Sequence, residues 1–156
     1  MSFMETTKLR RFAQYARRTL LELVETRLQL VLQSDSAARR EAPAAVKQLE
    51  TQIRDSSREQ VIDRVAYTWF NRFCAIRFME LKSEEGYLEH GVRLLSHPTQ
   101  PQGFEVLDRA PEVIESLMGE GVSLDKSALL ELMLAGNEQE ALFRELLLGQ
   151  CHRLHQ

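Results

Sequence analysis

The stretch from about Ser57 to Leu81 constrains this chain more than any other. Its run VIDRVAYTWFNRFCAIRFMEL contains neither glycine nor proline. Ile62, Val65, Ala66, Trp69, Phe73 and Ile76 recur at three- and four-residue steps and fill one broad helical face. Val61, Phe70, Cys74, Phe78 and Met79 widen it, leaving polar positions mainly to Arg64, Thr68, Asn71 and Arg72. A helix this apolar is expected to be central, covered by neighbours on most sides, with Cys74 packed inside. Two charges interrupt the pattern. Glu80 projects near the middle of the apolar arc and Arg77 near its edge, three residues apart and able to pair. Two readings stand: a partly buried ion pair that fixes how the helix end docks, or a helix leaving the core with both side chains in water.

The rest also reads as helical. Seven glycines and four prolines in 156 residues leave few turns. From about Glu5 to Gln33, Leu9, Phe12, Ala13, Ala16, Leu20, Leu23 and Leu30 keep the helical period, with Thr6 or Thr7 as a cap and Ser34-Asp35-Ser36 as the stop. Pro43 suits the first position of a second helix through Val46, Leu49 and Ile53, and Ser56 with Glu59 has capping-box spacing before the aromatic helix. Beyond Lys82, Gly86, Gly91, Pro98, Pro101 and Gly103 frame a loop-rich stretch, in which Tyr87 to Leu95 is expected to make a helical turn or two. Pro111 opens a short helix through Val113, Ile114 and Leu117, closed by Gly119 and Gly121. Asp125 caps a helix over Ser127 to Leu134 that Gly136 stops, and Asn137 caps a last helix carrying Leu142, Leu146 and Leu147. No stretch alternates as a strand does. The fold class is therefore all-α, an irregular or orthogonal helical bundle with a long N-terminal helix and a central aromatic-rich helix. Two parts of one domain are expected, a long helical segment over 1–82 and an acidic part of loops and short helices over 83–156.

Charge divides the same way. Residues 1–82 hold 15 Lys and Arg against 10 Asp and Glu, and residues 83–156 hold 5 against 13. This asymmetry fits a nucleic-acid face beside a protein-contact face, but charge alone favours the simpler reading of two halves that attract each other. At ~100° per residue, Arg10, Arg11, Gln14, Arg17 and Arg18 share one flank of the first helix, which Lys8, Arg39 and Arg40 extend. Guanidinium groups match phosphate geometry, so Lys8, Arg10, Arg11, Arg17, Arg18, Arg39 and Arg40 are the DNA-contact candidates. The competing reading is a solvated face, or one paired with the acidic half.

Nothing in the chain assembles catalytic chemistry. Gly119 and Gly121 lie among acidic residues with no strand before them, so there is no phosphate loop. No serine sits on a strand-to-helix elbow, and no nucleophile, base and orienter come together. Cys151, His152 and His155 have a spacing that zinc can use but supply only three ligands, so no metal site is assigned. His90 and His97 lack a matching carboxylate or cysteine and read as surface histidines. Two cysteines make no disulfide framework, no apolar run nears the ~20 residues of a membrane span, and Met1 to Arg11 lacks an apolar signal core. A soluble cytoplasmic protein without a membrane partner is expected.

The run AYTWFNRFCAIRFMEL, Ala66 to Leu81, resembles the signature near the N-terminus of large adenine-specific DNA methyltransferases of bacteriophage-exclusion (BREX) and phage-growth-limitation systems. KLRRFAQYARRTLLELV, SAARREAPAAVKQLE, GYLEHGVRLLSHP, GFEVLDRAPEV and FRELLLGQCHRLH are similar to the same family, so the resemblance covers nearly the whole chain. Its most specific part is the aromatic helix with an internal Asn-Arg pair: Tyr67, Trp69, Phe70, Asn71, Arg72 and Phe73, with Arg77 and Glu80 beyond. The resemblance implies the helical region that precedes a methyltransferase domain. That domain transfers a methyl group from S-adenosylmethionine to N6 of an adenine flipped out of duplex DNA. The family's catalytic box, Asn- or Asp-Pro-Pro followed by an aromatic, is absent, since none of the four prolines adjoins another. Its glycine-rich cofactor loop is absent too, so no catalytic or cofactor residue carries over. The chain is expected to be an expressed fragment or a truncated reading frame, inactive alone, with S-adenosylmethionine needed only by the parent. Expected partners are the parent's methyltransferase domain, duplex DNA and other phage-defence proteins. A stand-alone DNA-binding or adaptor module and a self-associating helical protein are the alternatives.

Overall fold

Eight α-helices and no strand occupy residues 3–118 and 124–154, the part of the chain that the computed structural model describes. They are α1 (Phe3–Val31), α2 (Ala37–Glu41), α3 (Pro43–Asp55), α4 (Arg58–Leu81), α5 (Glu105–Asp108), α6 (Ala110–Leu117), α7 (Lys126–Ala135) and α8 (Gln139–Arg153), with a 3-10 turn at Ser83–Glu85. The all-α class is as the periodicity predicts. Gly119, Gly121 and His155, read above as a helix stop and a third metal-ligand candidate, lie outside the described residues.

Backbone contacts divide the chain inside α4, into one unit over Met1–Asn71 and another over Arg72–Gln156. In the first unit, arginine side chains hold the turn that follows α1 by binding its backbone carbonyls. Arg39 donates from Nε to the Gln33 carbonyl and from Nη2 to that of Leu32, both at 2.9 Å, and reaches Glu50 on α3 at 2.5 Å. Arg40 donates to the Asp35 carbonyl at 2.7 Å. Ser36 caps α2, accepting from the Arg39 N–H at 3.2 Å while its hydroxyl donates back to Val31 at 2.8 Å. Pro43 stands at the start of α3 as expected. The cap of α4 falls one residue later than the capping-box spacing suggests. Ser57 accepts from the Gln60 N–H at 3.1 Å, whereas Ser56 closes α3 and donates to the Gln52 carbonyl at 2.7 Å. Leu28, Val46, Val61, Ile62 and Ala66 are the buried apolar residues of this unit.

The second unit packs around α8. Leu142, Leu146, Leu147 and Cys151 are buried with Ala110, Val113, Ile114 and Leu117 of α6, Val106 of α5, Leu129 of α7, and Ile76 and Met79 of α4. Gly149 allows a close approach there, since a Cβ on it would stand 2.7 Å from a methyl of Leu124. Asp125 caps α7, accepting from the N–H groups of Ser127 and Ala128 at 2.9 and 3.1 Å, and Gly136 ends it with φ at 70°. The cap expected from Asn137 is not formed. Glu138 holds the N-cap position of α8, without a side-chain bond. Tyr87 to Leu95 is not helical: Gly91 turns the chain with φ at 64°, and Leu88, Val92 and Leu94 are all buried.

α4 is less covered than its composition predicts. Tyr67, Cys74, Phe78 and Leu81 are exposed, so the expectations of a helix enclosed on most sides and of a core Cys74 are corrected. An apolar arc records which positions could be covered, not how many neighbours there are to cover them. Of the two readings of Arg77 and Glu80, the ion pair is the one present. The Glu80 side chain is 0% exposed, and Arg77, 45% exposed, donates to its Oε2 at 3.0 Å. Oε1 accepts the Leu95 backbone N–H. Arg77 also donates at 2.9 Å to the Ser96 hydroxyl, which in turn donates to Glu80 at 3.2 Å. A buried carboxylate with this set of donors meets the requirement that interior charge be both paired and hydrogen-bonded.

The same loop is held from its other side. Glu105 accepts the Arg93 backbone N–H at 2.9 Å and an Arg109 N–H at 3.0 Å. Burial pushes its carboxyl up, but the Arg93 N–H and the Arg109 guanidinium outweigh that and hold it below the usual carboxylate range. His90 and His97 are not the surface histidines expected. His90 Nδ1 accepts the Val92 N–H at 3.0 Å, which leaves Nε2 to donate to Gln150 at 2.9 Å. His97 Nδ1 accepts from the Thr99 and Gln100 N–H groups, and its Nε2 faces Asp108 at 3.1 Å.

Candidate nucleic-acid interface

The seven basic candidates do not form one surface. Arg39 and Arg40 tie down the turn after α1 and do not prolong its flank. Lys8, Arg10, Arg11, Arg17 and Arg18 are exposed on α1 and form no ion pair or hydrogen bond with the described residues. Unpaired guanidinium groups in water keep their full hydrogen-bonding capacity for an incoming anion.

The α1 flank itself divides in two. Arg10 and Arg17, one heptad apart, line a groove between α1 and α4 together with Gln14 and Leu21, while Arg11 and Arg18 do not line it. The groove measures about 660 Å³. Its opposite wall is Asp63, Arg64, Ala66, Tyr67 and Phe70, four of them at helical steps on one face of α4. Arg64 is steadied by donating to Gln52 on α3 at 2.8 Å. Tyr67 is 69% exposed and Phe70 half-buried. Three guanidinium groups against one carboxylate make the groove electropositive, and Tyr67 and Phe70 are on its lining. Sequence reasoning does not single out Arg64 and Asp63. The spacing of Asp63, Tyr67 and Phe70 on one helical face is the signal that could find Asp63; Arg64 lies beside that face and carries no such signal.

The other signature residues lie away from this groove. Trp69 lines a cleft with Leu28, Val31, Leu49, Val61 and Val65 in the first unit. Asn71 is exposed, Arg72 and Phe73 are half-buried, and exposed Arg77 pairs with buried Glu80 in the second unit. Among the described residues no group of three or more His, Cys, Asp or Glu side chains could hold a metal ion. No described helix is long and apolar enough to cross a membrane. The sequence holds no Pro-Pro pair, so none of these residues belongs to an Asn- or Asp-Pro-Pro box.

No family model matches the chain. Among curated proteins it is 54% identical over 109 residues to the adenine-specific methyltransferase BrxX of Escherichia coli O9:H4 (strain HS), a match that covers 70% of this chain and 8% of that protein. It is 31% identical over 157 aligned residues to the adenine-specific methyltransferase PglX of Lacticaseibacillus casei (strain Zhang), covering 82% of this chain and 13% of that protein. The chain thus spans only a small part of the length of the curated relatives it matches. It is homologous to a segment of the adenine-specific methyltransferases, the family that its aromatic helix resembles.

Proposed function

We propose that this chain is the N-terminal helical module of an adenine-specific, S-adenosylmethionine-dependent DNA methyltransferase of bacterial phage defence. It transfers no methyl group itself. It docks against the parent's methyltransferase domain and contacts duplex DNA through α1. The observation that carries the reading is the row of exposed, unpaired Arg10, Arg11, Arg17 and Arg18 on one helix of a chain related to adenine-specific methyltransferases. Such a row supplies sequence-independent phosphate contacts, which position a protein on DNA and leave base chemistry to another domain. Other phage-defence proteins are further partners in this reading, and the cytoplasm is where it places them.

Binding of a labelled duplex by the full chain across a salt series tests it. Log affinity should fall linearly with log salt. Changing Arg10, Arg11, Arg17 and Arg18 to Gln should flatten the slope by roughly 0.9 for each phosphate that is no longer neutralised. A duplex that fails to bind at low salt, or a slope unchanged by the four substitutions, defeats the DNA-contact role. Methyl transfer to duplex DNA by this chain alone would defeat the division of labour.

A further inference from the structure

The α1–α4 groove differs from the outer flank of α1 in one respect that duplex binding does not use. It places an aromatic wall, Tyr67 and Phe70, opposite Arg10 and Arg17, with Arg64 beside it. A duplex keeps its base faces stacked on one another, so only its phosphates can reach such a groove. An unpaired strand offers both phosphates and free base faces. We propose that this groove is a binding site for an unpaired nucleotide segment, with one base stacked on Tyr67 and the flanking phosphates held by Arg10, Arg17 and Arg64.

Three features support this occupant. Tyr67 is the most exposed aromatic on α4, 69% accessible, and lines the groove, so its ring is open to a stacking partner. Arg10 and Arg17 are separated by two helical turns, roughly 10 Å along the axis, which spaces them along a strand rather than at one anion. Asp63 is the single carboxylate on the lining, so the charge of the groove selects an anionic guest. Electropositive channels with aromatic platforms are how proteins hold single strands without reading their sequence, because every base has a π face. The proposal rests on the reading that this module contacts nucleic acid, and it adds which form of nucleic acid the groove takes.

The test uses the full chain and two labelled probes at low salt, a short oligothymidine strand and a duplex of equal length. Tyr67→Ala should weaken the single strand by roughly tenfold and leave the duplex unchanged, while Tyr67→Phe, which keeps the ring, should bind both as the parent does. Arg11→Gln with Arg18→Gln should weaken the duplex more than the strand, because neither residue lines the groove. If Tyr67→Ala leaves the oligothymidine affinity unchanged, or if Tyr67→Phe loses as much as Tyr67→Ala, the stacking site is refuted. Loss of duplex binding alone refutes the module's duplex contact and spares the groove. Tyr67-dependent binding of a Glu-Tyr copolymer, with none of oligothymidine, would assign the groove to an acidic peptide and overturn the proposal. Tyr67 is largely in water, so an unchanged circular dichroism spectrum is expected for both Tyr67 variants.

Discussion

Replacing Glu80 probes the best-defined polar cluster in the chain. Its carboxylate is fully buried and serves three donors: the Arg77 guanidinium, the Leu95 backbone N–H and the Ser96 hydroxyl. Glu80→Ala removes all three bonds and leaves the Leu95 N–H without an acceptor, while half-exposed Arg77 recovers water. Because no charge is left buried, the cost is set mainly by the orphaned N–H, about 1–3 kcal/mol. Glu80→Gln keeps the volume and one oxygen for Leu95. It exchanges charge-assisted bonds for neutral ones, a loss of about 1–2 kcal/mol. Arg77→Met leaves the carboxylate buried with neutral donors only, so it too destabilises. In the double variant with Glu80→Gln that stranded charge is gone, and the combined loss should fall short of the sum of the two by about 1–2 kcal/mol. Urea denaturation gives the energies. Amide exchange at Leu95 reports the site directly, with protection kept in Glu80→Gln and reduced in Glu80→Ala. Additivity of Arg77→Met and Glu80→Gln to within about 0.5 kcal/mol would show that the two side chains are not coupled, and would refute the reasoning.

Glu105 gives a pH dependence of known sign. Its carboxyl titrates below the ordinary range in the folded state, so the folded protein binds fewer protons there than the unfolded chain. The stability it contributes is full above the unfolded value of about 4.3 and is lost as pH falls through the lowered folded value. The advantage of the parent over Glu105→Gln should therefore be constant from neutral pH to about pH 5 and shrink below it; a constant gap down to about pH 3 contradicts this. The two cysteines should separate cleanly in thiol labelling at about pH 8. Exposed Cys74 reacts at once, whereas Cys151 is buried and its thiol is pushed up by that burial more than nearby Arg72 lowers it, so it reacts only on unfolding. Two fast equivalents per native chain would contradict the packing of α8.

The long helices are legible because their periodicity is intrinsic to the sequence. α2 and α5, five and four residues long, are not, because helices that short do not stand on propensity and depend on contacts elsewhere. α2 stands on Arg39, whose partners Leu32 and Glu50 come from the turn before it and from α3 after it. Tyr87 to Leu95 misleads because its apolar residues fit a helical turn as well as the bent path they take into the core. His90 and His97 look unpartnered because their partners lie 60 and 11 residues away. At the candidate interface, the arginine row on α1 is visible on the helical wheel. Its division between an outer flank and a groove is not, because a wheel of one helix does not show where α4 lies. Glu80 stands out as an anomaly, but its donors at Leu95 and Ser96 belong to a loop that no periodicity could bring to it.

The division inside α4 bears on the order in which the chain folds. Residues 58–71 supply Val61, Ile62 and Ala66 to the first core, and residues 72–81 supply Ile76, Met79 and Glu80 to the second. Starting a helix is its costly step, and each added residue afterwards gains a bond. During synthesis from the N-terminus the first unit completes earlier and leaves a formed helix end at Asn71. The second unit then begins by elongating that helix rather than nucleating its own, so Glu80 is in register before Leu95 and Ser96, the loop residues that it binds, have left the ribosome.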